Sequence, residues 1–595
     1  MKFCFRNALL FLLLILLGRS SNVIEHPNER ILQDTSEENA KNNDWEPIRI
    51  QYKIAQLYYE YEYQKFFQKL FSVAQTFITR YFLVQRLTEV ITFDDTDDKY
   101  FDSEQISIQY LSESFETDLL IFVQIYDDST TNVKASSEYI KTYSKTQRPT
   151  VGIIKWNIYS TNLKNMTNSE FELNMQRLIA TTMYIMGFTP KAFQTYFDSS
   201  INVKYSNPSI TINNITYLST PRIKKIIQQH FKCDTVKGAQ LENDGGNSYA
   251  KNHLERSIFY NEILTSATME GNMIISDFTF SIFQDTGFYN LMQYSPDKVL
   301  WGKGKGCDFL QKRCYGDFQE FCNVENEEGC SFLNTGYSNC KQDDFSDQCK
   351  YFQIKQDYDC RDSTSGGDEA KETFQHFGSD SMCIVGSISE NYSVANKQKF
   401  SCFQYLCDAN NQLTLIINSK SFNCLSQQTI KIDQYFGQVS CPKNPEEFCR
   451  SQDECMGQCN QRGYCLNKMC ICSLGYSGKG CQENCSKYRH NAECYDKCPS
   501  KTYPIEAIQY CVGCPGNCQD CSSYNKCKIC LPGYKLNSIG FCDILYNYEV
   551  PEEESEEESL PTNVQEDEQY LILEFTFEQN NAYIFGASLA FLTLL

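Results

Sequence analysis

The sequence predicts an α+β fold for its first half and small disulfide-rich modules for most of the rest. Two observations carry that expectation. From Pro47 to about Leu310 the only cysteines are Cys233 and Cys307, and apolar runs of strand length alternate with stretches of helical periodicity. Beyond Cys307 the cysteines crowd together at short spacings, as in small domains with too little core to fold unaided. At 595 residues the chain is too long for one core, so several domains are expected.

Residues 1–21 have the form of a secretory signal: Lys2 and Arg6 precede the apolar run Ala8–Leu17, and Gly18, Ser20 and Ser21 follow. One of the 31 cysteines, Cys4, falls in that signal, which leaves an even number for pairing. Zinc knuckles would need paired cysteine and histidine clusters, and the chain has only five histidines. Disulfides made in an oxidising compartment are therefore expected. Residues 22–46 are polar and form a leader or pro-segment. Within 47–310, Gln56–Phe77 carries apolar residues, rich in Tyr and Phe, at helical spacing. Leu119–Val123 is a continuous apolar run between acidic residues, the pattern of a buried strand. Val151–Trp156 follows Arg148-Pro149 and is expected as a second strand. Glu170–Met186 has helical length and pattern, and Gly187 stands at its C-terminal cap.

Residues 311–441, with irregularly spaced cysteines, are expected to form a cysteine-containing C-terminal subdomain with a modest core. In residues 449–484 the run Cys455-x3-Cys459-x5-Cys465-x4-Cys470-x-Cys472-x8-Cys481 resembles an EGF-like module. That resemblance implies the pairs Cys455–Cys465, Cys459–Cys470 and Cys472–Cys481. Residues 485–545, with Cys514-x3-Cys518-x2-Cys521-x5-Cys527-x2-Cys530 before Gly533-Tyr534, resemble a furin-like cysteine-rich module, and several pairings fit its spacing. Modules of both kinds serve most often as spacers or binding surfaces. Residues 546–581 hold the acidic run Glu552–Glu558 between Pro551 and Pro561, which cannot bury enough apolar surface to fold and is expected as an extended stalk. The last segment, 582–595, is uncharged but shorter than the roughly 20 residues of a spanning helix. It suits a lipid-anchor signal, with a short membrane span as the alternative.

The net charge of −21 argues against nucleic acid and against docking on anionic lipid. Sequons at Asn165, Asn214, Asn391 and Asn484 fit a glycosylated surface on the extracellular side of the secretory pathway.

Several stretches now stand in one order. Arg177–Pro190 has the frame of a zinc-peptidase helix, H-E-x-x-H-x-x-G, with Gly187 and Phe188 kept. Cys233-Asp234-Thr235-Val236-Lys237-Gly238-Ala239-Gln240-Leu241-Glu242-Asn243-Asp244-Gly245-Gly246 comes next, then Asn252-His253-Leu254-Glu255-Arg256. Ile282–Tyr289 and Trp301-Gly302-x3-Gly306-Cys307-Asp308-Phe309-Leu310 complete the series, and Arg148–Gly152 precedes it. Through these motifs, residues 47–440 resemble the leishmanolysin family of surface zinc endopeptidases, which are metzincins. The 66 positions between Gly187 and His253 are consistent with the family's long insertion there. The resemblance implies a twisted sheet over an active-site helix, a metzincin-like catalytic-type domain at 47–310, and endopeptidase activity in active members.

In the family register this chain departs from that chemistry. Ala180 and Tyr184 stand at the two helical histidine positions and Thr181 at the general-base glutamate. His253 alone remains of the three ligands, and Leu264 takes the Met-turn position. A catalytic zinc needs three protein ligands and a water, and neutral phenol is a poor ligand for it. A threonine hydroxyl is no base near neutral pH, so the proton-accepting step is lost too. Residues 22–46 also lack the cysteine with which the family's pro-segment blocks zinc. The expectation is a pseudopeptidase with no catalytic residue and no cofactor, zinc entering only if the family function is retained. Its expected partners are a protein or peptide ligand at the cell surface and the membrane, through the C-terminal anchor.

Overall fold

Leu119–Tyr126 (β4) lies at the centre of a four-stranded sheet, and its continuous apolar sequence is explained by two cores. Leu119, Ile121 and Val123 point into one apolar cluster, while Leu120 and Phe122 point into another on the opposite face. The structure is a computed structural model that describes residues 45–545. It leaves out 57–59, 95–96, 98–100, 102–105, 132, 160, 162, 164–165, 245–249, 267–272, 367–371, 398, 409, 452–454, 525 and 539. The signal, nearly all of the leader, the acidic stalk, the terminal apolar segment, Asn165 and Gly245-Gly246 lie outside the described residues.

Strand order is β2-β4-β6-β5, with β1 (Trp45–Pro47) and β3 (Phe82–Gln85) paired in a separate small sheet, β2 Ile50–Ile54, β5 Ala135–Thr142 and β6 Pro149–Asn157. β2, β4 and β6 are parallel, and β5 runs antiparallel to β6 at the edge. Two helices pack on one face, α1 (Tyr61–Tyr81) and α2 (Asn168–Met186). The periodicity over Gln56–Phe77 locates α1 but not its ends. The Gln56 amide exchanges hydrogen bonds with the Ile125 backbone, donating to its carbonyl and accepting from its N–H, both at 3.2 Å. Gln56 therefore prolongs strand pairing, and the helix begins later and runs on to Tyr81.

α2 starts in a full capping box. Thr167 Oγ1 accepts from the Glu170 N–H at 3.1 Å, and the Glu170 carboxylate accepts from the Thr167 N–H at 2.7 Å. It ends at Gly187, whose φ of 132° lies in a region side chains avoid. The helix lies tight against β6, because a Cβ on Gly152 would come within 2.5 Å of Ile185.

Two further helices, α3 (Pro221–Phe231) and α4 (Asp277–Asp285), close the domain below α2. Asp285 links them by accepting from Thr220 Oγ1 at 2.6 Å and from the N–H groups of Arg222 and Ile223 at the start of α3. Trp301 is spent on packing: its ring stacks on Tyr260 at 4.4 Å and its N–H donates to the Ser257 carbonyl.

Every cysteine after Cys4 is disulfide-bonded, and Cys233 pairs with Cys307. The C-terminal subdomain is a six-stranded antiparallel sheet around Met382, Ile384, Phe403, Leu415 and Val439. In the first small module the pairs are Cys455–Cys465, Cys459–Cys470 and Cys472–Cys481. In the second they are Cys485–Cys494, Cys498–Cys511, Cys514–Cys521, Cys518–Cys527 and Cys530–Cys542. Neither module is a free spacer. Tyr464, Leu466 and Ile471 of the first belong to the main core, with Tyr464 packed on Phe77 of α1 at 4.9 Å. Tyr503, Ile505 and Val512 of the second share a cluster with Trp45, Leu83 and Met292. The described residues up to Ile544 consequently form one compact unit.

Among the described residues no helix is long and apolar enough to cross a membrane. Asn214, Asn391 and Asn484 are all exposed.

Candidate active-site cleft

The candidate cleft lies between α2 and β5, whose outer edge no strand among the described residues pairs. Ser137 on β5 donates its hydroxyl to the Thr181 carbonyl at 3.0 Å, fixing the strand to the helix. With 3.6 residues per turn, Arg177, Ala180, Thr181 and Tyr184 fall on one face of α2. That face carries a cation, a methyl, a hydroxyl and a phenol.

The Thr181 hydroxyl is turned back on its own helix, donating toward the carbonyls of Arg177 at 2.8 Å and Leu178 at 3.0 Å. Its proton is thus committed to backbone and not to the cleft. Tyr184 reaches across instead. Its hydroxyl donates to the Leu264 carbonyl at 3.2 Å, and its ring meets the His253 ring edge to face at 5.0 Å. The same Leu264 carbonyl accepts from the Leu254 N–H at 2.8 Å. One oxygen, through its two lone pairs, therefore joins the helix, the His253 segment and the turn containing Leu264. Burial holds the Tyr184 phenol well above its ordinary pKa, so it stays neutral. Tyr184→Phe keeps the ring contacts and leaves the carbonyl with its second donor. The expected loss is about 0.5–1.5 kcal/mol of stability, checked as a small fall in denaturant midpoint.

The turn itself rests on a buried carboxyl. Glu262 accepts from the Ser276 hydroxyl at 2.6 Å, from the Ser276 N–H at 3.2 Å, and from Thr279 Oγ1. Burial raises its pKa to about 7 against those hydrogen bonds. Glu255 is also buried and raised to about 7, by burial first and then by the neighbouring charge of Glu242. Its carboxylate caps the turn at Ser257, accepting from the N–H and the hydroxyl.

The sequence-predicted positions Ala180, Thr181, Tyr184, His253 and Leu264 thus converge on one place. The donors they offer are one imidazole, one phenol engaged with a carbonyl, and a helix-bound hydroxyl. Tetrahedral zinc takes three nitrogen, sulfur or carboxylate donors from the protein and a water. The residues present do not make that set. Among the described residues, the groups of three His, Cys, Asp or Glu side chains near enough to share an ion are Cys455, Cys459, Cys470 and Cys518, Cys527, Cys542, all in disulfides.

One residue of this face was not singled out by motif. Arg177 is half-buried, donates to Asn174 Oδ1 at 2.6 Å, and lies over the Trp156 ring at 5.5 Å. The available signal was its isolation: it is the only charged residue between Glu172 and Lys191.

Comparison with known proteins places this geometry. The leishmanolysin family profile matches residues 60–342. The chain is similar to the ciliated left-right organizer metallopeptidase of Danio rerio, at 25% identity over 290 residues, covering 46% of each chain. It is similar to a leishmanolysin-like peptidase of Caenorhabditis briggsae, at 36% identity over 103 residues, 17% of this chain and 15% of that one. It is also similar to leishmanolysin of Leishmania donovani, at 28% identity over 187 residues, 30% of this chain and 29% of that one. Each match spans less than half the length of the curated relative. An α+β domain with this helix carries the leishmanolysin match over residues 60–342, and disulfide-rich modules follow it.

Proposed function

We propose that the chain is a cell-surface pseudopeptidase, a leishmanolysin relative that has lost the zinc site and general base and that binds a protein or peptide ligand in an adhesion-type role. The observation that carries this reading is the cleft face of α2. Ala180 and Tyr184 replace nitrogen donors, Thr181 replaces the base, and the Tyr184 hydroxyl is held on the Leu264 carbonyl. The outer edge of β5 beside that face, which no strand among the described residues pairs, supports a retained peptide-binding groove, since an extended peptide can add to such an edge through its backbone. The disulfide content supports passage through the secretory pathway. Attachment through residues 582–595, by a lipid or a short span, completes the proposal.

The second reading is an active zinc metalloendopeptidase, favoured by the peptidase names that the relatives carry. Incubation of the secreted chain with a denatured protein substrate, with and without chelator, separates the two. The pseudopeptidase reading expects no chelator-sensitive cleavage, together with retention of peptides. Chelator-sensitive cleavage abolished by His253→Ala would establish the second reading instead.

A further inference from the structure

Most arginines held inside this fold are spent in one of two ways, while Arg80 lies over the Tyr510 ring at 4.3 Å. Arg49, Arg256, Arg313 and Arg361 pair with the carboxylates of Asp118, Asp343, Asp347 and Asp359. Arg148 and Arg489 donate to backbone carbonyls. Arg177 does neither. Its one hydrogen bond goes to the Asn174 amide oxygen, and no carboxylate among the described residues pairs with it.

Its position is equally specific. Arg177 lies one turn before Thr181, about 6 Å along α2, and about 10 Å before Tyr184 on the same face. Trp156, the ring beneath its guanidinium, is the cross-strand partner of Ala135, the first residue of β5. Ser137, two residues further along that edge, holds the Thr181 carbonyl. The cation therefore stands where the open edge of β5 begins, at one end of the cleft. A guanidinium partly removed from water and left without a counter-ion is costly, and a ligand that supplies the anion recovers that cost. A planar fork lying over an aromatic ring is suited to bidentate recognition of a carboxylate.

We propose that Arg177 makes the vacated cleft selective for a carboxylate-bearing peptide, which extends along β5 and pairs its carboxylate with the guanidinium. The inference rests on the peptide-binding reading above. The carboxylate has two possible sources, an aspartate or glutamate side chain or a free C-terminus.

The test uses the full secreted chain and two random heptapeptide libraries, one C-amidated and one with free C-terminal carboxylates, with retained peptides identified by mass spectrometry. The expected result is enrichment of acidic residues from the amidated library, or a preference for the free-acid library, which tells the two sources apart. Arg177→Gln should abolish that enrichment and weaken the best binder about tenfold or more, while Arg177→Lys retains part of the affinity. Retention of neutral peptides, equal for wild type and Arg177→Gln, would overturn the inference and leave the peptide-binding reading standing. Retention of no peptide would overturn both. Should Arg177→Gln fail to fold, the acidic-to-neutral comparison on the wild type and the Arg177→Lys affinity still decide the matter.

Discussion

The triple variant Ala180→His, Thr181→Glu, Tyr184→His should bind about one zinc ion per chain at neutral pH. Positions 180 and 184 are one helical turn apart, so their Cβ atoms are about 5–6 Å from each other and two imidazoles there can meet a single ion. The third imidazole is already placed, since the His253 ring lies against the side chain of Tyr184. Thr181→Glu supplies a carboxylate at the base position but no ligand. The single variant Tyr184→His raises the count only to two imidazoles and should hold zinc far more weakly. The variant loses the Tyr184 hydrogen bond to Leu264, although that carbonyl keeps its bond from Leu254, and it places larger and polar side chains at the buried positions 180 and 181, so its folding is checked first. Zinc is read by elemental analysis after dialysis against a weak chelator. A triple variant that folds, keeps its disulfides and binds no zinc would mean that α2 and His253 are not in the family register.

The second large effect concerns the turn under the cleft. Glu262→Ala removes the acceptor for two hydroxyls and one N–H, all buried, and should cost on the order of 3–5 kcal/mol. The carboxyl also makes stability depend on pH. Its folded pKa of about 7 lies above the unfolded value near 4.5, so the folded state holds its proton more tightly. The associated stability is fully present below about pH 4.5 and is lost as pH rises through about 7. At 1.36 kcal/mol per unit, the swing is on the order of 3 kcal/mol. Glu262→Gln carries no such proton. The stability difference between wild type and Glu262→Gln, from denaturant midpoints at pH 4.5 and pH 8, should therefore move in favour of the variant as pH rises. A difference that stays constant across that range would show that the fold does not raise the Glu262 pKa above its unfolded value.

How much of this was legible in the sequence depended on the range of the forces involved. α2 could be placed because its signals are local: the pattern over Glu170–Met186 has one period and Gly187 ends it, while the Thr167–Glu170 capping box, seen only in the fold, starts the helix at Asn168. β4 was legible because burial on both faces leaves an unbroken apolar run. The ends of α1 were not, since Gln56 is claimed by the Ile125 backbone, a partner 69 residues away. Cysteine spacing reports how a small module closes on itself and says nothing of what it packs against. The burial of Tyr464 beside Phe77 therefore came only with the fold. At the cleft, the identities of Ala180, Thr181, Tyr184 and His253 followed from a motif frame. That the Tyr184 hydroxyl ends on the Leu264 carbonyl, and that Arg177 shares the same face without an anion, required the backbone to bring distant segments together.

The central claim is that this cleft no longer holds a catalytic metal, and the metal content of the wild-type secreted chain tests it most directly. After dialysis against a weak chelator, elemental analysis should find near-zero zinc. About one zinc per chain, retained through that dialysis, would contradict the account and make His253 and its co-ligands part of a working metal centre.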